Sequence, residues 1–313
     1  MLSRRHIRIK VLHALYQFFQ NPGSDMGRGA KKLNESIHSI YDLYLYELKA
    51  LADLRLIAED ELERRKSKLL PSAEDLNPKL NFVNNKFLNW VSTNNSFSKQ
   101  VELNHISWGE ERDFWRAIYR QMLEHEDFQE YLNLESPSIE DDKKIVRWIY
   151  GTYIVPNDAQ HQLYEEKEMH WADDLDAAQM MVDKTIKKFS VESDETSSLR
   201  KLIKDDSDLL FAETLFRKSI LNNDDYEILI KDKAKNWEMD RIAMIDIILM
   251  KQAMSELLNF NEIPVKVTLN EYIDIAKEYS TPKSGVFING ILDKLTVELV
   301  KDGTIRKIGR GLL

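Results

Sequence analysis

Residues 242–295 read IAMIDIILMKQAMSELLNFNEIPVKVTLNEYIDIAKEYSTPKSGVFINGILDKL. From Asp240 to Leu258 the chain is apolar nearly all round, at Ile242, Ile245, Ile248, Leu249, Ala253 and Leu257. That is the pattern of a helix at the centre of a core rather than on its surface. Asn261-Glu262-Ile263-Pro264 breaks it. Thr268 and Glu271 then stand at capping-box spacing, ahead of a helix ending near Tyr279. Thr281-Pro282 is a second break, and Ser284 is placed to cap a last helix that buries Phe287, Ile288, Ile291, Leu292 and Leu295. Three helices with short connections therefore end the chain, and the expected fold class is all-α.

Composition agrees with that expectation. Ten Gly and seven Pro among 313 residues are too few for the many turns of an all-β fold. Working toward the amino terminus, helices are expected at about 226–235 and 208–221, preceded by a polar linker at 190–198. Longer helices are expected over 161–189, 138–155 and 110–134, with a short one around Phe87, Leu88 and Trp90. A long helix over about 31–69 is amphipathic at first and charge-dense from Glu59 to Lys68, which should be solvated. The first helix has Ser3 as N-cap, an apolar face of Leu12, Leu15, Tyr16 and Phe19, and a stop at Asn21-Pro22-Gly23. Trp90, Trp108, Trp115 and Trp148 sit among apolar neighbours and are expected to pack.

The formal charge is −9, yet both ends are basic. Arg4, Arg5, Arg8 and Lys10 occupy the first ten residues with His6 and no acid, and Lys301, Arg306, Lys307 and Arg310 face only Asp302 in the tail. Arg4 and Arg8 are four apart and Arg5 is three before Arg8, so the three adjoin at one end of a helix, where they can contact successive phosphates. The tail serves either phosphate recognition or nothing but solvation. With no cysteine, disulfides, thiolate metal sites and a cysteine nucleophile are excluded together. No phosphate-binding glycine loop, dinucleotide fingerprint or His-Glu-x-x-His motif occurs, and His161 and His170 do not share a helix face at ligand spacing. Neither an enzyme nor a metal or other cofactor is expected. No apolar run is long enough to span a membrane and no signal peptide is apparent, so the expected location is the cytoplasm.

The segment from Trp237 to Leu295 resembles the NusB family of bacterial transcription antitermination factors. The string Ile263-Pro264, Asn270-Glu271, Ala276-Lys277 and Phe287-Ile288-Asn289-Gly290-Ile291-Leu292-Asp293 carries the likeness, together with Arg8 and Ala14-Leu15-Tyr16-Gln17 in the first helix. The resemblance implies a NusB-like helical bundle of two packed three-helix-type subdomains. Residues 1–20 would be its arginine-rich first helix, 21–206 a large helical insertion of unknown role, 207–300 the helical core and 301–313 a basic tail. It further implies an RNA-binding antitermination factor that holds boxA-type single-stranded RNA of ribosomal transcripts, together with the ribosomal protein NusE and the RNA polymerase elongation complex. Arg4, Arg5, Arg8, Lys10, Lys283 and Phe287 would contact RNA, and Tyr16, Asp240, Asp246 and Lys251 would contact NusE. Phe287 is either a stacking platform for an unpaired base or core. Asp246, an acid in an apolar helix, needs a partner's basic residue or an internal Arg or Lys. Gly290 is expected where another helix comes too close for a side chain. The alternative is a non-enzymatic helical interaction module that kept the fold and lost RNA binding. The ribosomal RNA cytosine methyltransferases that carry NusB-like domains require a cysteine nucleophile, which this chain lacks.

Overall fold

Side-chain caps set where many of the helices begin. In the computed structural model, which describes residues 1–21, 23–234 and 242–312, and only the backbone of 169, 170, 310 and 311, no strand occurs among the described residues. Ser3 opens α1 (Arg4–Gln20) by accepting the His6 amide. Next come α2 (Met26–Lys66) and the one-turn α3 (Ala73–Leu76). Asn85 caps α4 (Lys86–Thr93) through the Leu88 amide, and Asn94 both ends α4 and caps α5 (Asn95–Leu103). Then follow α6 (Arg112–Glu124), α7 (Glu126–Leu132) and α8 (Ile139–Ile149), the last opened by a Ser138–Asp141 capping box. A π-helical turn over Tyr150–Ile154 leads to α9 (Asp158–Lys167), a 3-10 turn and α10 (Leu175–Lys188). The chain closes with α11 (Asp206–Leu221), α12 (Asn223–Lys233), α13 (Met244–Asn259), α14 (Val265–Tyr279) and α15 (Ser284–Lys301).

The chain divides into two compact units. Unit 1 is Met1 with His38–Leu202, and unit 2 is Leu2–Ile37 with Ile203–Leu313, so α2 contributes to both.

In unit 2, α13 is the central element. Residues 248–257 are buried without interruption, and α1, α11, α12, α14 and α15 all pack on it. The all-round apolar reading of this helix matches its position. Two of the expected caps do not form. Helix α14 begins at Val265, so Thr268 lies inside it and donates its hydroxyl to Glu256, while Ser284 is the first residue of α15 and donates to Asp246. Spacing alone cannot tell a cap from a buried hydroxyl one turn further in. Gly290 meets open space, with nothing within 4 Å of an added Cβ, so close packing does not account for it. The close approach is at Gly29, where a Cβ would lie 2.7 Å from the Phe216 ring.

Unit 1 is held by aromatic packing. Phe87, Trp115, Phe128 and Tyr164 are completely buried, Trp90 and Trp108 nearly so, while Trp148 is half-buried against the edges of His125 and Tyr153. The stretch expected as one helix over 110–134 breaks at His125, which adopts an extended backbone and accepts the Asp127 amide. That over 161–189 breaks at Glu168, also extended. The polar segment 190–198 is fastened rather than free: Trp90 Nε1 donates to the Asp194 carbonyl, Asn94 to that of Ser197, and the Asn95 amide to that of Glu195.

Unit 1 buries a carboxyl, Glu47, that has no ion pair among the described residues. Glu47 is fully buried and accepts from Tyr150 Oη (2.5 Å), Tyr164 Oη (2.6 Å) and Gln160 Nε2 (2.9 Å). Burial pushes it up to about 7, against the opposing pull of the two tyrosine hydrogen bonds. The unfolded chain ionises this group near its ordinary value of 4.5, whereas the folded chain keeps the proton until about 7. Stability from Glu47 is therefore complete below pH 4.5 and declines as pH rises to 7, by roughly 3 kcal/mol. Urea denaturation at pH 5 and pH 8 should show Glu47→Gln losing much less stability between the two than wild type; parallel losses would refute the assignment.

Candidate nucleic-acid interface

The basic start of α1 does not stay together on the surface. Arg8 is 3% exposed, and its guanidinium makes a two-pronged bond to the buried Glu256 carboxylate, Nε to Oε2 at 2.7 Å and Nη2 to Oε1 at 2.8 Å. Its remaining edge reaches Glu271 at 3.4 Å. Thr268 Oγ1 (2.8 Å) and Tyr272 Oη (3.1 Å) also donate to Glu256, and Gln252 donates to the Arg8 carbonyl. The carboxylate thus accepts four bonds, about its full capacity. Burial alone would lower the Arg8 pKa, but Glu256, with Tyr272 and Glu271, raises it above its ordinary value. The Tyr272 hydroxyl is likewise pushed up, by burial and then by Glu256. Lys10 is also buried. The expected row of phosphate-binding cations therefore loses Arg8 and Lys10 to the interior, because α1 is buried on every side from Ile7 to Leu12.

Arg4 and Arg5 remain accessible. Arg4 lies over the Phe211 ring at 4.7 Å and 3.7 Å from Asp208. Arg5 stands 3.6 Å from Asp274 and 3.7 Å from Glu278 on α14. The two pairs of Arg5 are long and exposed, worth ~0–1 kcal/mol each, and the Arg4 pair is long too, although Asp208 itself is only 13% exposed. From Asp274 the surface continues to Lys277, which bonds it at 2.8 Å and whose stem lies against Gly285 in the first turn of α15. Lys283, at the N-cap of α15, is exposed, and Phe287 one turn on is half-buried, between the two expected extremes. His13 of α1 meets the edge of Tyr279 of α14 at 5.4 Å. Arg5 and Lys277 thus share a surface through Asp274, and Lys277 reaches the start of α15. The sequence reading missed Lys277 as a site residue, since a lysine in the last turn of a helix is equally a partner for the helix dipole.

The four positions assigned to a protein partner are scattered. Tyr16 is exposed. Asp240 lies outside the described residues. Lys251 is buried, bonded at 2.7 Å to both Asn223 and Glu227, with its charge over the Phe19 ring. Glu227 is drawn down to about 2 by Lys231 and Lys251. Asp246 is buried too, accepting Ser284 Oγ at 2.7 Å. Its place in the first turn of α13 adds helix-dipole stabilisation, and its Oδ1 has no hydrogen-bond partner among the described residues. The carboxy-terminal tail folds back: Lys307 donates to the Phe260 carbonyl and Arg306 to that of Gly303, while Ile305 is buried. Burial lowers the Lys307 pKa.

No group of side chains suited to a metal ion occurs among the described residues, and no described helix is long and apolar enough to cross a membrane.

Residues 172–297 match the family model described as the NusB family. Over 103 residues the chain is 47% identical to the transcription antitermination protein NusB of Salinibacter ruber, covering 33% of this chain and 64% of that protein. It is 44% identical to the protein of that name from Chloroherpeton thalassium over 103 residues, 33% of this chain and 49% of the relative. For Natranaerobius thermophilus the figures are 35% over 91 residues, 29% and 66%. The chain therefore spans between about half and two thirds of the length of these curated relatives. No solved structure matches.

The buried ion pair makes a direct prediction. Arg8→Met should destabilise the protein by about 3–5 kcal/mol, because it strands the Glu256 charge, while adding Glu256→Leu should restore most of the loss. Chemical denaturation of both variants checks this; a cost below ~1 kcal/mol for Arg8→Met would contradict the geometry.

Proposed function

Since residues 172–297 match the model of the NusB family, we propose that this protein is an RNA-binding, non-enzymatic transcription antitermination factor of the cytoplasm. It acts on ribosomal RNA transcripts, holding boxA-type single-stranded RNA with NusE within the RNA polymerase elongation complex. In this reading residues 1–20 and 207–300 form the RNA-holding body, residues 21–206 an insertion and residues 301–313 its basic tail.

The observation that carries the reading is the accessible Arg4–Arg5 pair at the start of α1, whose acidic neighbours lie 3.6 Å or more away. Phosphates can displace such weakly held acids. Lys277 and Lys283 extend the cationic surface to α15, where the partly open Phe287 ring offers a base a stacking face. Arg8 and Lys10 contribute from within, by fixing the helix. Among the described members of the set for NusE, Tyr16 is the exposed one.

The second reading, a helical interaction module without RNA affinity, is favoured by the acids Asp208, Asp274 and Glu278, which already face the two arginines. RNA binding measured across salt concentration, with and without NusE, separates the two. Arg4→Gln/Arg5→Gln should make the dependence of log K on log salt shallower by about 1.4, two lost contacts at ~0.7 each for a single strand. Charge reversal at Arg8 is no test, because it would unfold unit 2. An unchanged slope would leave the interaction module as the better account.

A further inference from the structure

Unit 1 holds a second concentration of positive charge. A cleft of about 280 Å³ between the carboxy-terminal half of α2 and α6 has Ile57 and Leu123 in its lining, below Arg64, Arg65, Arg116 and Arg120. Arg112, Arg116 and Arg120 stand four residues apart along α6, so they form a row with steps of about 6 Å on one side of the helix. Arg112 pairs with Asp60 across the cleft, while Arg64 and Arg65 both bond Glu61 and Arg116 bonds Asp113 at 2.8 Å. Arg120 is exposed and has no ion pair among the described residues. Four guanidiniums thus line the cleft among three carboxylates, and Arg112 stands just beyond it on the same row.

The ordinary account of such pairs is a solvated helix surface. Two features go beyond it. The cations lining the cleft are all arginine, whose planar fork matches phosphate oxygens two at a time. Two of the acids, Asp60 and Asp113, are exposed partners worth ~0–1 kcal/mol each, so an arriving phosphate displaces them at little cost, while the half-buried Glu61 keeps its hold on Arg64 and Arg65. The cleft also falls just below the roughly 300–1,000 Å³ that encloses a small ligand. An open row of three guanidiniums suits a chain of phosphates better than a single one.

We propose that this cleft is a phosphodiester-binding surface, along which the backbone of a single RNA strand follows the Arg112–Arg116–Arg120 row. That the strand is RNA rests on the proposed function; the charge row and its exchangeable acids do not.

The test uses the full chain and a fluorescein-labelled single-stranded RNA of mixed sequence, titrated at several salt concentrations. Arg116→Gln/Arg120→Gln should weaken binding and make the salt dependence shallower by about 1.4, two contacts at ~0.7 each. Asp113→Asn, which frees Arg116, should tighten binding, an effect that loss of folding cannot imitate. Wild-type affinity and slope in the double variant would overturn the proposal, as would failure of the wild type to bind RNA. If Arg4→Gln/Arg5→Gln weakens binding and flattens the salt dependence while Arg116→Gln/Arg120→Gln leaves both unchanged, the proposed function stands and the cleft falls; the reverse result removes the α1 surface and keeps the cleft. Polyglutamate displacing the RNA as readily as unlabelled RNA does would assign the cleft to acidic peptides instead, and also overturn the proposal.

Discussion

Unit 2 depends on one buried ion pair. Arg8 and Glu256 are almost and completely buried, respectively, and two charges are tolerable there only because every bonding direction of the carboxylate is used. The pair fixes the rotation of α1 against α13, and Thr268 and Tyr272 fasten α14 to the same carboxylate. Once that register is set, Arg4 and Arg5 are accessible and Lys10 is inside. The electrostatic character of the surface thus follows from which arginine the core consumed.

The same redistribution recurs through the chain. Lys251 is spent on Glu227 and Asn223, Lys307 on a backbone carbonyl, and Asp246 on a serine and a helix start. What remains outside are cations in weak pairs with acids, at the start of α1 and in the α2–α6 cleft. A protein with a formal charge of −9 can hold an anionic polymer only at such places, where competing carboxylates such as Asp113, Asp274 and Glu278 are exposed and therefore weak. Unit 1 treats its buried acid differently. Glu47 has two phenols and an amide for company and no ion pair among the described residues, so its charge is discouraged rather than balanced.

Much of the architecture could be read from the chain. Ser3, Asn85, Asn94 and Ser138 start helices through local bonds to amides three residues on, and the apolar positions spread round α13 announced a central helix. Local signals failed where distant atoms compete for the same group. Thr268 and Ser284 have the spacing and chemistry of caps, but Glu256 and Asp246, 12 and 38 residues away, claim their hydroxyls. The breaks at His125 and Glu168 carry neither proline nor glycine, so no residue announces them.

By itself, then, the sequence determined the helical class, most helix starts, the central position of α13 and the presence of cations near the amino terminus. These follow from periodicity and from bonds within a single turn. Only the tertiary structure decided which cations face solvent: Arg4, Arg5 and Arg8 are indistinguishable in spacing, yet one is buried and two are accessible. The reason is that Arg8 enters the core where a matching charge waits, and that charge, Glu256, lies 248 residues further along the chain.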